Sequence, residues 1–121
     1  IDITAQTGIK SLDVTIDCDN LDAKELGKMG IPARFDLCNI EGFEDTDGTM
    51  HPAEDVREAI SALGFPIEDA VKDKPSIRLK IDKIFTRLLT GFPGNNNFIL
   101  TVTENNGLST TKTLKYYVPA N

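Results

Sequence analysis

The segment Phe43–Glu54, FEDTDGTMHPAE, carries oxygen ligands at a spacing that raises the question of calcium. A twelve-residue calcium loop takes side-chain oxygens at positions 1, 3 and 5, glycine at 6 for the sharp turn, and a bidentate glutamate at 12. Counted from Phe43, Asp45 and Asp47 fall at 3 and 5, Gly48 at 6 and Glu54 at 12. Phe43 offers no oxygen at position 1, and Pro52 stiffens position 10. The spacing therefore predicts a mobile, solvated polar loop in which Asp45, Asp47 and Glu54 are weak metal candidates and no ion is tightly held. A second acidic corner, DCDNLD, holds Asp17, Asp19, Asn20 and Asp22. Its residues suit a turn and a helix cap better than a cation. No cofactor is expected.

Enzyme chemistry finds little support. His51 is the single imidazole and stands beside Pro52, away from any serine or cysteine in a recognisable nucleophile turn. No glycine-rich phosphate loop follows a strand. Carboxylates are plentiful in any acidic chain, so their presence does not point to a glycosidase. The reading is a non-enzyme. Cys18 and Cys38 form no CxxC pair, and with one histidine a four-ligand zinc site cannot be assembled. The two thiols are either a disulfide, which would suit an exported protein and stabilise it by roughly 3 kcal/mol, or two buried free thiols.

Ligand binding through aromatic faces is the stronger functional candidate. The chain has no Trp. Of the adjacent Tyr116 and Tyr117, one faces the core of a strand and the other faces out. Tyr117 is the outward one in this reading, and Phe92 and Phe43, both in loops, complete a candidate ligand-binding set.

Composition sets the outer bounds. The 121 residues, 40% apolar and 26% charged, suit one globular domain with one core. The net charge of −6 is uneven: residues 1–60 hold 14 acids and 5 bases, and the remainder is net basic. Without a basic stripe, nucleic acid is excluded as a partner. No run approaches the ~18 apolar residues that would cross a membrane, so no direct membrane insertion is expected.

Elements must position these residues. SLDVTIDC alternates Leu12, Val14, Ile16 and Cys18 with polar residues, the period of a half-buried strand, and IDIT before it is a short strand. Asp22 and Glu25 form a capping box for a helix over Ala23–Met29, stopped at Gly30. ARFDLCN is a brief strand, and AEDVREAISALG a helix burying Val56, Ala59, Ile60 and Leu63. SIRLKID alternates through Ile77, Leu79 and Ile81, and a short helix capped by Asp82 and ended by Gly91 follows. GFPGNNN is a turn-rich loop. NFILTVT and LSTTKTLKYYV alternate on either side of ENNG and predict a C-terminal hairpin with Gly107 at positive φ, and with Phe98, Leu100, Val102, Leu114 and Tyr116 in the core.

FILTVTENNGLSTTKTLKYYV resembles the last two strands of bacterial immunoglobulin-like and PKD-like modules, which commonly end in a TVTD-x-x-G turn and a threonine-rich edge strand. ITAQTGIKSLDVTID is similar to their opening pair of strands. LGFPIEDAVKDKPSIRLKIDKIFTRLL resembles helix-decorated versions found in surface lipoproteins of Bacteroidetes. Glu104 replaces the usual Asp, and the segment around Gly48 looks like an insertion. The resemblance implies one immunoglobulin-like β-sandwich over residues 1–121, of about seven strands with two or three short helices between them, or else an α+β fold. It further implies a non-catalytic module of an exported protein, at the cell surface or in the periplasm, acting in adhesion, spacing or ligand presentation. The alternative is a glycan-binding accessory domain of a polysaccharide-uptake system. The partners implied are a glycan or another surface protein.

Overall fold

The computed structural model describes residues 1–89 and 91–120. In chain order the elements are β1 (Asp2–Thr4), β2 (Ile9–Cys18), α1 (Ala23–Lys28), β3 (Arg34–Asp36), β4 (Phe43–Glu44) and β5 (Met50–His51). They continue with α2 (Ala53–Leu63), a 3-10 turn (Glu68–Ala70), β6 (Ser76–Arg78), α3 (Ile81–Leu89), β7 (Gly94–Glu104) and β8 (Ser109–Val118). The protein is mainly β, with antiparallel sheets and three short helices.

Period-two alternation builds the main sheet, ordered β3-β2-β7-β8. Its register sets Leu12 opposite Val102, Val14 opposite Leu100 and Ile16 opposite Phe98, and all six side chains are buried. Phe35 extends this apolar face opposite Val14, and Leu114 extends it opposite Phe98. The residues between them, among them Asp13, Thr15, Thr101 and Thr103, stay partly exposed on the other face. A sheet that buries one face only writes itself into the sequence as clean alternation.

Helices and a small sheet cover the apolar face. Phe85 of α3 meets Phe98 edge-on at 4.9 Å, and Phe65, just after α2, meets Phe35 edge-on at 5.6 Å. α2 buries Val56, Ile60 and Leu63 and ends at Gly64 with φ 108°. Arg87 of α3 donates to the Ala62 carbonyl at 2.9 Å, tying the two helices together. β1 and β6 pair antiparallel, Ile3 opposite Ile77. Between β1 and β8 a cleft of about 220 Å³ opens down to Leu12, Leu100 and Val102.

Four sequence expectations are corrected. The opening strand pairs with β6 and not with β2, because Ala5 and Ile9 bond to Pro75 and Lys74 and carry the chain away between them. Ile81 begins α3 rather than ending a strand, and Asp82 therefore lies inside the first turn instead of capping it. Thr90, placed by the sequence in the same helix, lies outside the described residues. The GNNN tract is the start of β7 rather than a loop. Asp19 accepts from the Asn95 N–H at 2.8 Å, and the fully buried Asn96 donates toward the Phe92 and Gly94 carbonyls, so neighbouring polar groups satisfy this stretch of backbone. Tyr116 faces the core side as expected, opposite Asn96, but stays 42% exposed because β8 is an edge strand.

Two local predictions hold in part. Asp22 caps α1 by accepting from the Glu25 N–H at 3.0 Å. Glu25 does not complete the capping box; its carboxylate takes the Lys28 ammonium instead. The β7–β8 turn carries Gly107 at φ 92°, with the Gly107 N–H on the Glu104 carbonyl and the Glu104 N–H on the Leu108 carbonyl. Asn105 and Asn106 keep negative φ, so the turn is the three-residue kind with a glycine bulge rather than a two-residue Asn-Gly turn.

Candidate functional site

Phe43–Glu54 is not one open loop. β4 and β5 pair within it, Phe43 opposite His51 and Glu44 opposite Met50, and Glu54 sits in the first turn of α2. Asp45 organises the turn. Its Oδ1 accepts the N–H groups of Asp47 and Thr49, each at 2.9 Å, and its Oδ2 lies 2.8 Å from His51 Nε2. The hydrogen bond from His51 and those two main-chain bonds hold the Asp45 carboxyl below its ordinary value. Phe43 stacks on the His51 ring at 4.8 Å. The carboxylate that resembled a calcium ligand is thus an internal acceptor. Among the described residues, no three His, Cys, Asp or Glu side chains converge as a metal site.

The three aromatic candidates do not meet. Tyr117 stands on the outer face of β8 opposite Asn95 and is 65% exposed. Phe92 packs partly buried against the core. Phe43 belongs to the β4–β5 hairpin, beside β3 at the opposite edge of the sheet from β8. At ~4.8 Å per strand the sheet alone separates these edges by roughly 14 Å. No shared platform is formed.

Phe43 does line a different site, a groove of about 430 Å³ running along β3. Asp13, Arg34, Asp36, Asn39 and Glu41 supply its polar walls. Asp13 and Asp36 face each other across the β2–β3 ladder, a like-charge pair that ordinarily costs stability. Main-chain donors to Asp36 and the charge of Arg34 offset this. Asp36 Oδ1 accepts the main-chain N–H groups of Leu12 and Cys38, at 3.0 and 2.9 Å. The Asp13 carboxyl is pushed upward by its partial burial and then by the Asp36 charge, while Arg34 pulls it back. A cleft that gathers two carboxylates, a guanidinium, an amide and a third acid offers both donors and acceptors to a polar, uncharged ligand. The sequence reading missed this groove. Asp13 and Asp36 lie 23 positions apart and become neighbours only through strand register.

Cys18 and Cys38 are free thiols at opposite ends of β2: Cys18 closes the strand, and Leu37 bonds back to Leu12 near its start. Six residues of strand place them roughly 20 Å apart, far beyond the reach of a disulfide. Burial, acting first, pushes both thiols up to about 11. Protonated at neutral pH, they are poor nucleophiles. Comparison with protein-family models, curated proteins and solved structures yields no match for this chain.

Proposed function

We propose that this chain is a non-catalytic binding module of an exported or surface-anchored bacterial protein, used in adhesion, spacing or ligand presentation. The observation that carries the reading is the bare outer face of the main sheet. Thr101 and Thr111 bond through their hydroxyls at 3.1 Å, and Thr103 and Ser109 at 2.9 Å, giving a fixed polar surface on a rigid ladder. Nothing comparable favours catalysis: His51 is spent on Asp45, and both thiols are held protonated. The proposal includes an immunoglobulin-like architecture in which β1–β6 stands in for the second sheet and the helices fill the rest of that layer. The β2–β7–β8 ladder and the glycine-bulge turn support that kinship with PKD-like modules of Bacteroidetes lipoproteins.

The β3 groove favours a second, narrower reading, a glycan-binding accessory domain. Vicinal hydroxyls are bridged well by carboxylate, amide and guanidinium groups, the set formed by Asp13, Asn39, Glu41 and Arg34. A glycan array tests both readings. Under the glycan reading, binding is lost in Arg34→Ala and Glu41→Gln and kept in Tyr117→Ala. A blank array leaves the spacer reading standing and removes the glycan one. Turnover of any arrayed polysaccharide would remove both.

A further inference from the structure

We propose that the free edge of β8 is a docking site for an extended acidic segment of another protein, which adds to the main sheet as a fifth strand. β8 ends the sheet, and among the described residues no other strand pairs with its outer side. It runs ten residues against β7 with no register shift and no proline. Long, flat edges of this kind are templates for strand addition.

The turn fixes which groups the edge presents. Glu104 and Leu108 form a hydrogen-bonded site, so the closely bonded pairs along the ladder are Val102–Thr110, Leu100–Lys112, Phe98–Leu114 and Asn96–Tyr116. The short hydroxyl contacts at Thr101–Thr111 and Thr103–Ser109 mark the alternate, non-bonded pairs. Ser109, Thr111, Thr113, Lys115 and Tyr117 therefore turn their N–H and C=O groups outward, away from β7. A partner strand would meet a row of regularly spaced donors and acceptors.

Charge selects the occupant. β8 carries Lys112 and Lys115 and no acid. In an antiparallel pair outward-turned residues face outward-turned ones, so near-full pairing with a second copy puts the two-fold axis at Thr113. Lys112 then faces Leu114 and Lys115 faces Thr111, and neither lysine meets an acid. Lysines on an edge are a common block to self-pairing. A segment with carboxylates three positions apart places one acid opposite each lysine. The inference does not depend on what the β3 groove binds.

Amide exchange measured by NMR on the whole chain tests it, with two capped peptides as probes. One carries two glutamates three positions apart in a threonine–valine background, and its twin carries lysines there. The glutamate peptide should slow exchange at Thr111, Thr113, Lys115 and Tyr117 while leaving the already bonded Lys112 and Leu114 unchanged. The lysine peptide should bind ~10-fold more weakly, and the Lys112→Glu/Lys115→Glu chain should reverse that preference. Thr113→Pro removes only an outward N–H, which an edge strand tolerates, and should abolish the protection without unfolding the hairpin. Equal protection by both peptides, protection by neither, or protection that rises with the protein's own concentration would overturn the proposal.

Discussion

Nε2 of His51 lies 2.8 Å from Oδ2 of Asp45, closing the β4–β5 turn from its side-chain side while two main-chain N–H groups close it from the other. The pair converts a segment with calcium-like spacing into a self-satisfied hairpin. It also gives that hairpin an acid limb. The folded Asp45 carboxyl lies below its ordinary 3.8, so its contribution is complete above the unfolded value and is lost as pH falls through the folded one. Asp45→Asn should lower the melting temperature at neutral pH, and the gap to the parent should narrow below about pH 4. A gap that stays constant from about pH 7 to about pH 3 would show that the carboxylate charge plays no part.

Calcium should find no strong site here. To ligate it, Asp45 would have to surrender the Asp47, Thr49 and His51 bonds, and Glu54 would have to leave the start of α2, where helix dipole and acid attract. Calorimetry with Ca²⁺ is expected to give no binding tighter than about millimolar. A micromolar site that disappears in Asp47→Ala would reverse this reading.

Gly27 shows how tightly the hairpin rests on α1. A methyl group there would stand 2.8 Å from the Asp45 Cβ. Alanine normally improves a helix interior by ~0.8–1.0 kcal/mol over glycine. Here the clash should win, and Gly27→Ala should destabilise by about 1–3 kcal/mol. Gly107→Ala makes the control: nothing lies within 4 Å of its added methyl, so only the cost of φ 92°, about 1–2 kcal/mol, remains. A chemical-denaturation series in which Gly27→Ala is the more stable protein would refute the packing argument.

These results mark where the sequence was legible. Strands with one buried face, such as Leu12–Val14–Ile16 and Phe98–Leu100–Val102, announce themselves by alternation, and Asp22 and Gly107 announce a cap and a turn by chemistry confined to a few residues. Features set by distant partners stayed hidden. Asn95 and Asn96 read as a loop because their partners, Asp19 for the Asn95 N–H and the Phe92 carbonyl for the Asn96 amide nitrogen, come from elsewhere in the fold or from the bend before β7. The groove depends on Asp13 meeting Asp36 across a ladder, and Asp45 could be seen as a ligand but not as the partner of His51. Local periodicity gives elements; pairing decides sites.

The faces of β7 and β8 supply the last prediction. Leu100 is 2% exposed and sits in the middle of the apolar face, opposite Val14. Leu100→Ala removes buried methyl groups from a site held by strands on both sides, where collapse into the void is restricted, and should cost roughly 2–5 kcal/mol. Tyr116 shares that face but lies at the edge, 42% exposed and tilted against Phe85 at 5.0 Å. Tyr116→Ala forfeits one aromatic contact and part of its area, for a loss of about 0.5–1.5 kcal/mol. Urea denaturation of the two variants measures the ordering directly. A Tyr116 variant as damaged as the Leu100 one would mean that β8 is buried rather than free, and an undisturbed Leu100 variant would mean that the sheet faces the other way.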